Sequence, residues 1–306
     1  MNKIFRVIWN SALALWTVAS EFGRGHGKSS ASSPGVALVA AGLLAAASFS
    51  ASAACTSDTV ANAITCSGSD EQTTTVGAGL ATPQGTTVSV ASGSKISTGN
   101  SAGISVGNAA SVVVQGGATV QNSATNKGTS PYGNIGANAI EVNNNSTITI
   151  EEGAFVIASG AGTSTEAINP VGSGNTITNH GTISSTHAAI WFQAASGNNT
   201  VVNNGTIIAG AGTNSTVATV IGASGTMAVD FTNSGHLVGS LAFANGNDVL
   251  RWHTGASMTG NISGGGGANL LTLESADGAA ATFAPLSLGG FQTLQSNAGI
   301  WSFNVA

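Results

Sequence analysis

Charge is what this sequence has least of. Seven Lys and Arg and twelve Asp and Glu among 306 residues make charged side chains 6% of the chain, where about a quarter is usual. Past residue 53 the basic residues are Lys95, Lys127 and Arg251, set against eleven acids. Such a stretch lacks the basic footprint of a nucleic-acid binder and the cationic clusters that hold proteins to anionic lipid. Nucleic acid is therefore excluded as a partner. Proline is also scarce, at 5 residues, while short Val- and Ile-rich runs recur. Disordered chains show the reverse composition, so residues 54–306 read as ordered. No apolar helical period is sustained there. Solubility must rest on Asn, Ser, Thr and backbone amides.

No apolar run is long enough for a membrane helix of about 20 residues. The longest, Val36 to Ala47, stands after Lys3, Arg6, Arg24 and Lys28 and before Ala51-Ser52-Ala53. A charged region, an apolar region and a small-residue site in that order make a secretory signal, with cleavage expected between Ala53 and Ala54. Within it, Gly27-Lys28-Ser29 resembles the end of a phosphate-binding loop, but Phe22 stands where the first glycine is required. The signal is unusually long. Its residues Met1-Asn2-Lys3-Ile4-Phe5-Arg6-Val7-Ile8-Trp9-Asn10, Trp16, Val18, Ser20-Glu21, Arg24-Gly25 and Gly27-Lys28 resemble the extended signal peptide region of large type V secreted proteins of Gram-negative bacteria. The resemblance implies export through the inner membrane and periplasm by the export machinery, then a route to the outer membrane, the cell surface or beyond.

Only two cysteines are present, Cys55 and Cys66. A close pair in an oxidising compartment reads as a disulfide pinning the start of the fold; lipid modification of Cys55 is the alternative, and Ser52-Ala53-Ala54 lacks the leucine it calls for. The spacing does not suit zinc.

What is abundant is a repeat. "GNTITNHGTISS" from Gly174, "GNNTVVNNGTIIAG" from Gly197 and "GTMAVDFTNSGHLVGS" from Gly225 align at Gly181, Gly205 and Gly235, at intervals of 24 and 30 residues. Looser copies begin at Val106 and Val142. Each unit holds two or three β-formers, Asn-x-Gly, and two or three more, with apolar positions such as Ile177, Val201 and Ile207. Strands this short cannot bury a face alone; stacked in register they form continuous apolar columns, with Asn and Gly at corners that need left-handed angles and Asn amides bonding along the stack. The pattern predicts an all-β, right-handed parallel β-helix of about ten coils after a cleaved signal. A β-sandwich or jelly roll is the runner-up and would place hairpin turns every 8–12 residues.

The tail resembles the end of an autotransporter passenger through Gly246-Asn247-Asp248 with Leu250, Gly255 with Gly260-Asn261-Ile262, Asn269 with Leu271, Phe291 with Leu294, and Gly299 with Trp301. The sequence stops without the many alternating strands that an outer-membrane barrel needs. Residues 1–53 thus read as signal and 54–306 as a β-helical passenger ending before any barrel, whose translocator lies in a further part of the chain or in a separate one.

Candidates for chemistry are thin. Gly99-x-Ser101-x-Gly103 fits the nucleophile-elbow pattern, but no histidine motif accompanies it, and Ser101 reads as a corner residue. Gly264-Gly265-x-Gly267-x-Asn269-x-Leu271 and Gly246-x-Asp248-x-Leu250 resemble calcium-binding nonapeptides, yet they lie 21 residues apart rather than in tandem. His180 and His187 have no metal spacing. Trp191-Phe192 reads as packing under a loop, or else a platform for a sugar or a partner. Glu151-Glu152 reads as a solvated turn. No catalytic, cofactor-binding or metal residues are assigned. The expectation is a non-enzymatic adhesin or surface-interaction protein with host or bacterial surface ligands; a two-partner-secreted exoprotein and a secreted β-helix hydrolase are the alternatives.

Overall fold

The computed structural model describes residues 5–10, 15–20 and 55–305, apart from 134–135, 162–164, 212–217 and 276–277. The chain divides into the units Met1–Ser48 and Phe49–Ala306. In the first, Phe5–Asn10 pairs antiparallel with Leu15–Ser20. The expected cleavage site, Ala53 and Ala54, lies outside the described residues.

The second unit is a parallel β-helix with three faces. The first face holds ten parallel strands, from Ala63–Cys66 to Thr293–Ser296, plus the antiparallel Thr56–Asp58. The second runs from Glu71–Gln72 to Ser257–Met258, the third from Val76–Gly79 to Leu288–Gly289. That hairpin is the one antiparallel strand pair among the described residues of this unit, so the sandwich is ruled out. The 24- and 30-residue intervals are whole coils, since Thr176, Thr200 and Asp230 are register partners. Coil length is less uniform than the repeat suggests: equivalent positions are 36 residues apart from Ala110 to Ser146 and 19 from Val229 to Asp248.

Alternation builds the core. In strands such as Thr176–Asn179 every second residue is buried, because successive side chains point to opposite sides of a strand. Ile64, Val88, Val112, Ile148, Ile177, Val201, Phe231, Leu250 and Leu271 make one inward column, with Leu294, which is exposed, in register on the last coil. Ile96, Val120, Val156, Ile183, Ile207 and Leu237 make another on the second face, and Ile104, Ile140, Ile168, Ile190, Ile221 and Leu241 a third. Each buried aliphatic side chain contributes about 1.5–3 kcal/mol over its exposed state.

Beside the first column the stack turns polar. Asn179 Nδ2 donates to Asn203 Oδ1 at 2.8 Å, and Asn203 Nδ2 to Asn233 Oδ1 at 2.8 Å. This is the amide ladder expected at the corners. The glycines that follow need a different explanation from the one the sequence suggested. Gly181, Gly205 and Gly235 do not adopt left-handed φ; a Cβ on Gly205 would stand 2.2 Å from the Gly181 carbonyl oxygen. Close approach between coils, not backbone angle, requires glycine there. Left-handed φ is used, as the sequence suggested, at the glycines of the earlier corners Gly93, Gly117 and Gly153 and at Asn62, Ala109 and Asn145.

A disulfide joins Cys55 to Cys66 where the antiparallel strand closes the N-terminal end. Near the other end Trp252, Phe283 and Phe303 stack edge to face, with centroids 5.4 and 5.9 Å apart. Leu250, Leu271 and Leu294 of the tail motif continue the first column, and Trp301 pairs with Ala281.

Candidate functional site

The short connection from first to second face hardly varies: Val114 to Thr119, Ile150 to Phe155, Asn179 to Thr182, Asn203 to Thr206. The connection from second to third face does. It runs from Asn122 to Ile140, from Ala158 to Ile168, from Ser185 to Ile190 and from Ala209 to Thr219. Extra chain therefore gathers along one edge, where residues 129–132 cover part of the third face.

Beneath that cover, outward positions that would ordinarily meet water are buried. Ser105, Glu141, Asn169, Trp191 and Gly222 follow one another in register; the first three are fully buried. Glu141 Oε2 accepts from Ser130 Oγ at 2.6 Å and from Ser105 Oγ at 2.8 Å, and Oε1 accepts from Asn138 Nδ2 at 3.0 Å. Asn138 Oδ1 in turn accepts from the Glu166 amide at 2.8 Å. Burial pushes the Glu141 carboxyl up to about 7 against the pull of these bonds. Burial also pushes Glu166 up to about 7, its own backbone amide opposing and the Glu141 charge adding to the rise. Tyr132 donates to the Val106 carbonyl oxygen at 2.5 Å; burial, with the Glu141 charge, raises its phenol far above the usual range. Asn169 Nδ2 donates to the Trp191 carbonyl oxygen at 3.1 Å, while its buried Oδ1 has no hydrogen-bond partner among the described residues. His187, on the coil after Glu166, has its ring pKa lowered by burial, with Nδ1 3.2 Å from Thr186 Oγ1.

Two carboxyls that titrate near neutrality can carry acid–base chemistry when a substrate reaches them. Here both are closed off, and no three His, Cys, Asp or Glu side chains gather as a metal site among the described residues.

Sequence reasoning missed Glu141 and Glu166 because the acids are sparse, and because Glu141 lies on a coil of exceptional length with Glu166 on the next. A signal was there: Ala139-Ile140, Ala167-Ile168 and Ala189-Ile190 are the same step on successive coils, which places Glu141, Asn169 and Trp191 in one row. The residues that the sequence singled out are dispersed. Ser101 is a corner residue whose carbonyl oxygen accepts from Asn122 Nδ2 at 2.6 Å. His180 lies near Asn204, His236 bonds Ser257, and His253 pairs with Glu274 at 3.3 Å. Trp191 and Phe192 part company: Phe192 is core, while the indole lies outward against Gly222. Glu151 and Glu152 are exposed, as a solvated turn requires.

The two glycine-rich stretches stack directly, because 21 residues is one coil. Asp248 Oδ1 accepts from the Val229 amide at 2.7 Å, Asn269 Oδ1 from the Asp248 amide at 2.7 Å, and Gln292 Oε1 from the Asn269 amide at 2.7 Å. Ser146, Asn175 and Asn199 do the same on earlier coils. These side chains cap backbone amides from coil to coil.

The route of the protein is decided at its start. Residues 1–50 match the family described as Extended Signal Peptide of Type V secretion system. The chain carries a type V secretion signal. That signal directs export across the inner membrane of a Gram-negative bacterium, and type V secretion entails a translocator as well as the export machinery. No curated protein and no solved structure matches the chain.

Proposed function

We propose that residues 54–306 are a surface-exposed passenger that works by contact, as an adhesin or surface-interaction protein, and not as an enzyme. The observation that carries the reading is a type V signal joined to a β-helix whose longest connections lie along one edge. In solenoids such insertions make the binding edge, and the stack holds them in a row. The ligands belong to host or bacterial surfaces, and the outer-membrane translocator is supplied by a further part of the chain or by a partner protein. A hydrolase is disfavoured because Glu141 and Glu166 are covered.

The test is display followed by deletion. With its signal and a type V translocator, the chain is expressed in a non-adherent Gram-negative host, and attachment to epithelial cells and to sibling bacteria is counted. Surface-exposed protein should raise attachment, and shortening residues 125–133 and 210–218 should remove the gain. Protein proven to be on the surface by protease access, yet without any attachment, would sink the adhesin reading.

A further inference from the structure

The longest coil carries a strap, and the strap is fastened to a carboxyl. Residues 125–133 lie across the outward side of the third face. Thr129 bridges Ser101, Pro131 stands so close to Gly79 that a Cβ there would be 2.9 Å from it, and Tyr132 reaches the Val106 carbonyl oxygen. Ser130 makes the bond to Glu141 Oε2 at 2.6 Å. We propose that this strap is a pH-sensitive cover, held down while Glu141 and Glu166 keep a proton and loosened when both ionise.

The groups around Glu141 account for this. From the third face it meets Ser105, from the strap Ser130 and Tyr132, from the return segment Asn138, and from the next coil Glu166. No cation pairs with it: the strap's own Lys127 is exposed, and the ion pairs among the described residues are Lys95–Glu71, Arg251–Asp230 and His253–Glu274. Tyr132 stays neutral across the relevant range. His187 holds its proton less well than an ordinary histidine, because burial opposes its charge. A neutral carboxyl can donate to one serine hydroxyl and accept from the other. An ionised one can only accept, and it places a full charge beside a second carboxyl in a dry site.

The sign follows from linkage. Both carboxyls have closed-state pKa values of about 7, above the ordinary 4.5. Closing the strap therefore takes up protons. Its hold is complete below the ordinary value, is lost as pH rises toward 7, and changes little above that. Loosening uncovers Glu141 and, beside it on the same carboxyl oxygen, Ser105.

The measurement is amide hydrogen exchange on the exported chain at pH 5.5, 7.0 and 8.5, each corrected for the intrinsic pH dependence of exchange. Protection of residues 125–133 should fall about tenfold or more between the extreme pH values, while strands 200–203 and 206–209 hold theirs. In the double variant Glu141→Gln, Glu166→Gln the strap should show no such fall. Glu166→Gln alone, which leaves the strap bonds in place, should move the midpoint to lower pH. A wild-type strap protected equally at all three values would overturn the proposal. So would an undiminished fall in the double variant, or an unmoved midpoint in Glu166→Gln should the double variant not fold.

Discussion

Replacing Asn203 tests whether the amide ladder or mere filling holds the middle coils together. Asn203 accepts from Asn179 and donates to Asn233, both at 2.8 Å, and reaches the Gly205 carbonyl oxygen at 3.3 Å. Its column is otherwise apolar, with Ile150 before Asn179 and Trp252 after Asn233. Asn203→Ala deletes these bonds and strands two buried amides. Asn179 Nδ2 keeps only the Thr206 carbonyl oxygen at 3.3 Å, and Asn233 Oδ1 only the Gly235 amide at 3.3 Å. At about 1 kcal/mol for each lost bond, with a desolvation penalty for the stranded groups, the cost is about 2–4 kcal/mol. Urea unfolding should show a midpoint lower by about 1 M and a broader transition, because the lost coupling joins neighbouring coils. Asn203→Leu restores volume without bonds and should be no better than Ala. Leucine at 179, 203 and 233 together removes every partner at once and should recover most of the loss. An Asn203→Leu variant as stable as the wild type would refute the ladder argument, since packing alone would then suffice. Exposed Asn198→Ala, one coil position away from any ladder, should stay within about 0.5 kcal/mol.

Two further changes probe the stack elsewhere. Asp248 caps Val229 with Oδ1, its Oδ2 is buried without a partner among the described residues, and burial pushes the carboxyl up to about 6. Asp248→Asn keeps the cap and removes the charge; at pH 7 it should stabilise by about 1–2 kcal/mol, a gain that shrinks below pH 6 and is gone near pH 4, as thermal unfolding at neutral and acid pH would show. Gly205→Ala drives a Cβ to 2.2 Å from the Gly181 carbonyl oxygen and should cost about 2–4 kcal/mol. Gly99→Ala, with nothing within 4 Å of the added Cβ, should be neutral in the same assay.

The three clear repeats were legible because their coils have the shortest corner between first and second face. Gly181, Gly205 and Gly235 mark that corner, and Ile177, Val201 and Ile207 mark the inward side of the strands flanking it. The looser copies at Val106 and Val142 were legible as strands, but their register was not, since residues 125–133 swell the coil between them to 36 residues. The same swelling hid Glu141. An acid read along the chain is a solvated acid until something covers it, and what covers it lies on a different part of its own coil. The left-handed angle expected of corner glycines holds at Gly93, Gly117 and Gly153 but was the wrong reason for Gly181, Gly205 and Gly235: a clash with the coil below is a property of the stack, and no local window contains it.

Coil-to-coil stacking also explains why the largest variation falls where it does. The first face must present an inward residue every 4.8 Å or so, and its corner into the second face is filled by Asn179, Asn203 and Asn233, which bond only when successive coils have the same corner. One extra residue there would break the ladder above and below it. The passage from second to third face carries no such ladder. Its lengths differ from coil to coil while Ile104, Ile140, Ile168 and Ile190 stay in register. Change is tolerated where no ladder demands the same length in successive coils, so that edge can acquire straps, buried carboxyls and contact loops without disturbing the core. A rod with few charges and a fixed interior thus leaves one line along which a new surface can be written, and Glu141, Asn169 and Trp191 all stand on it.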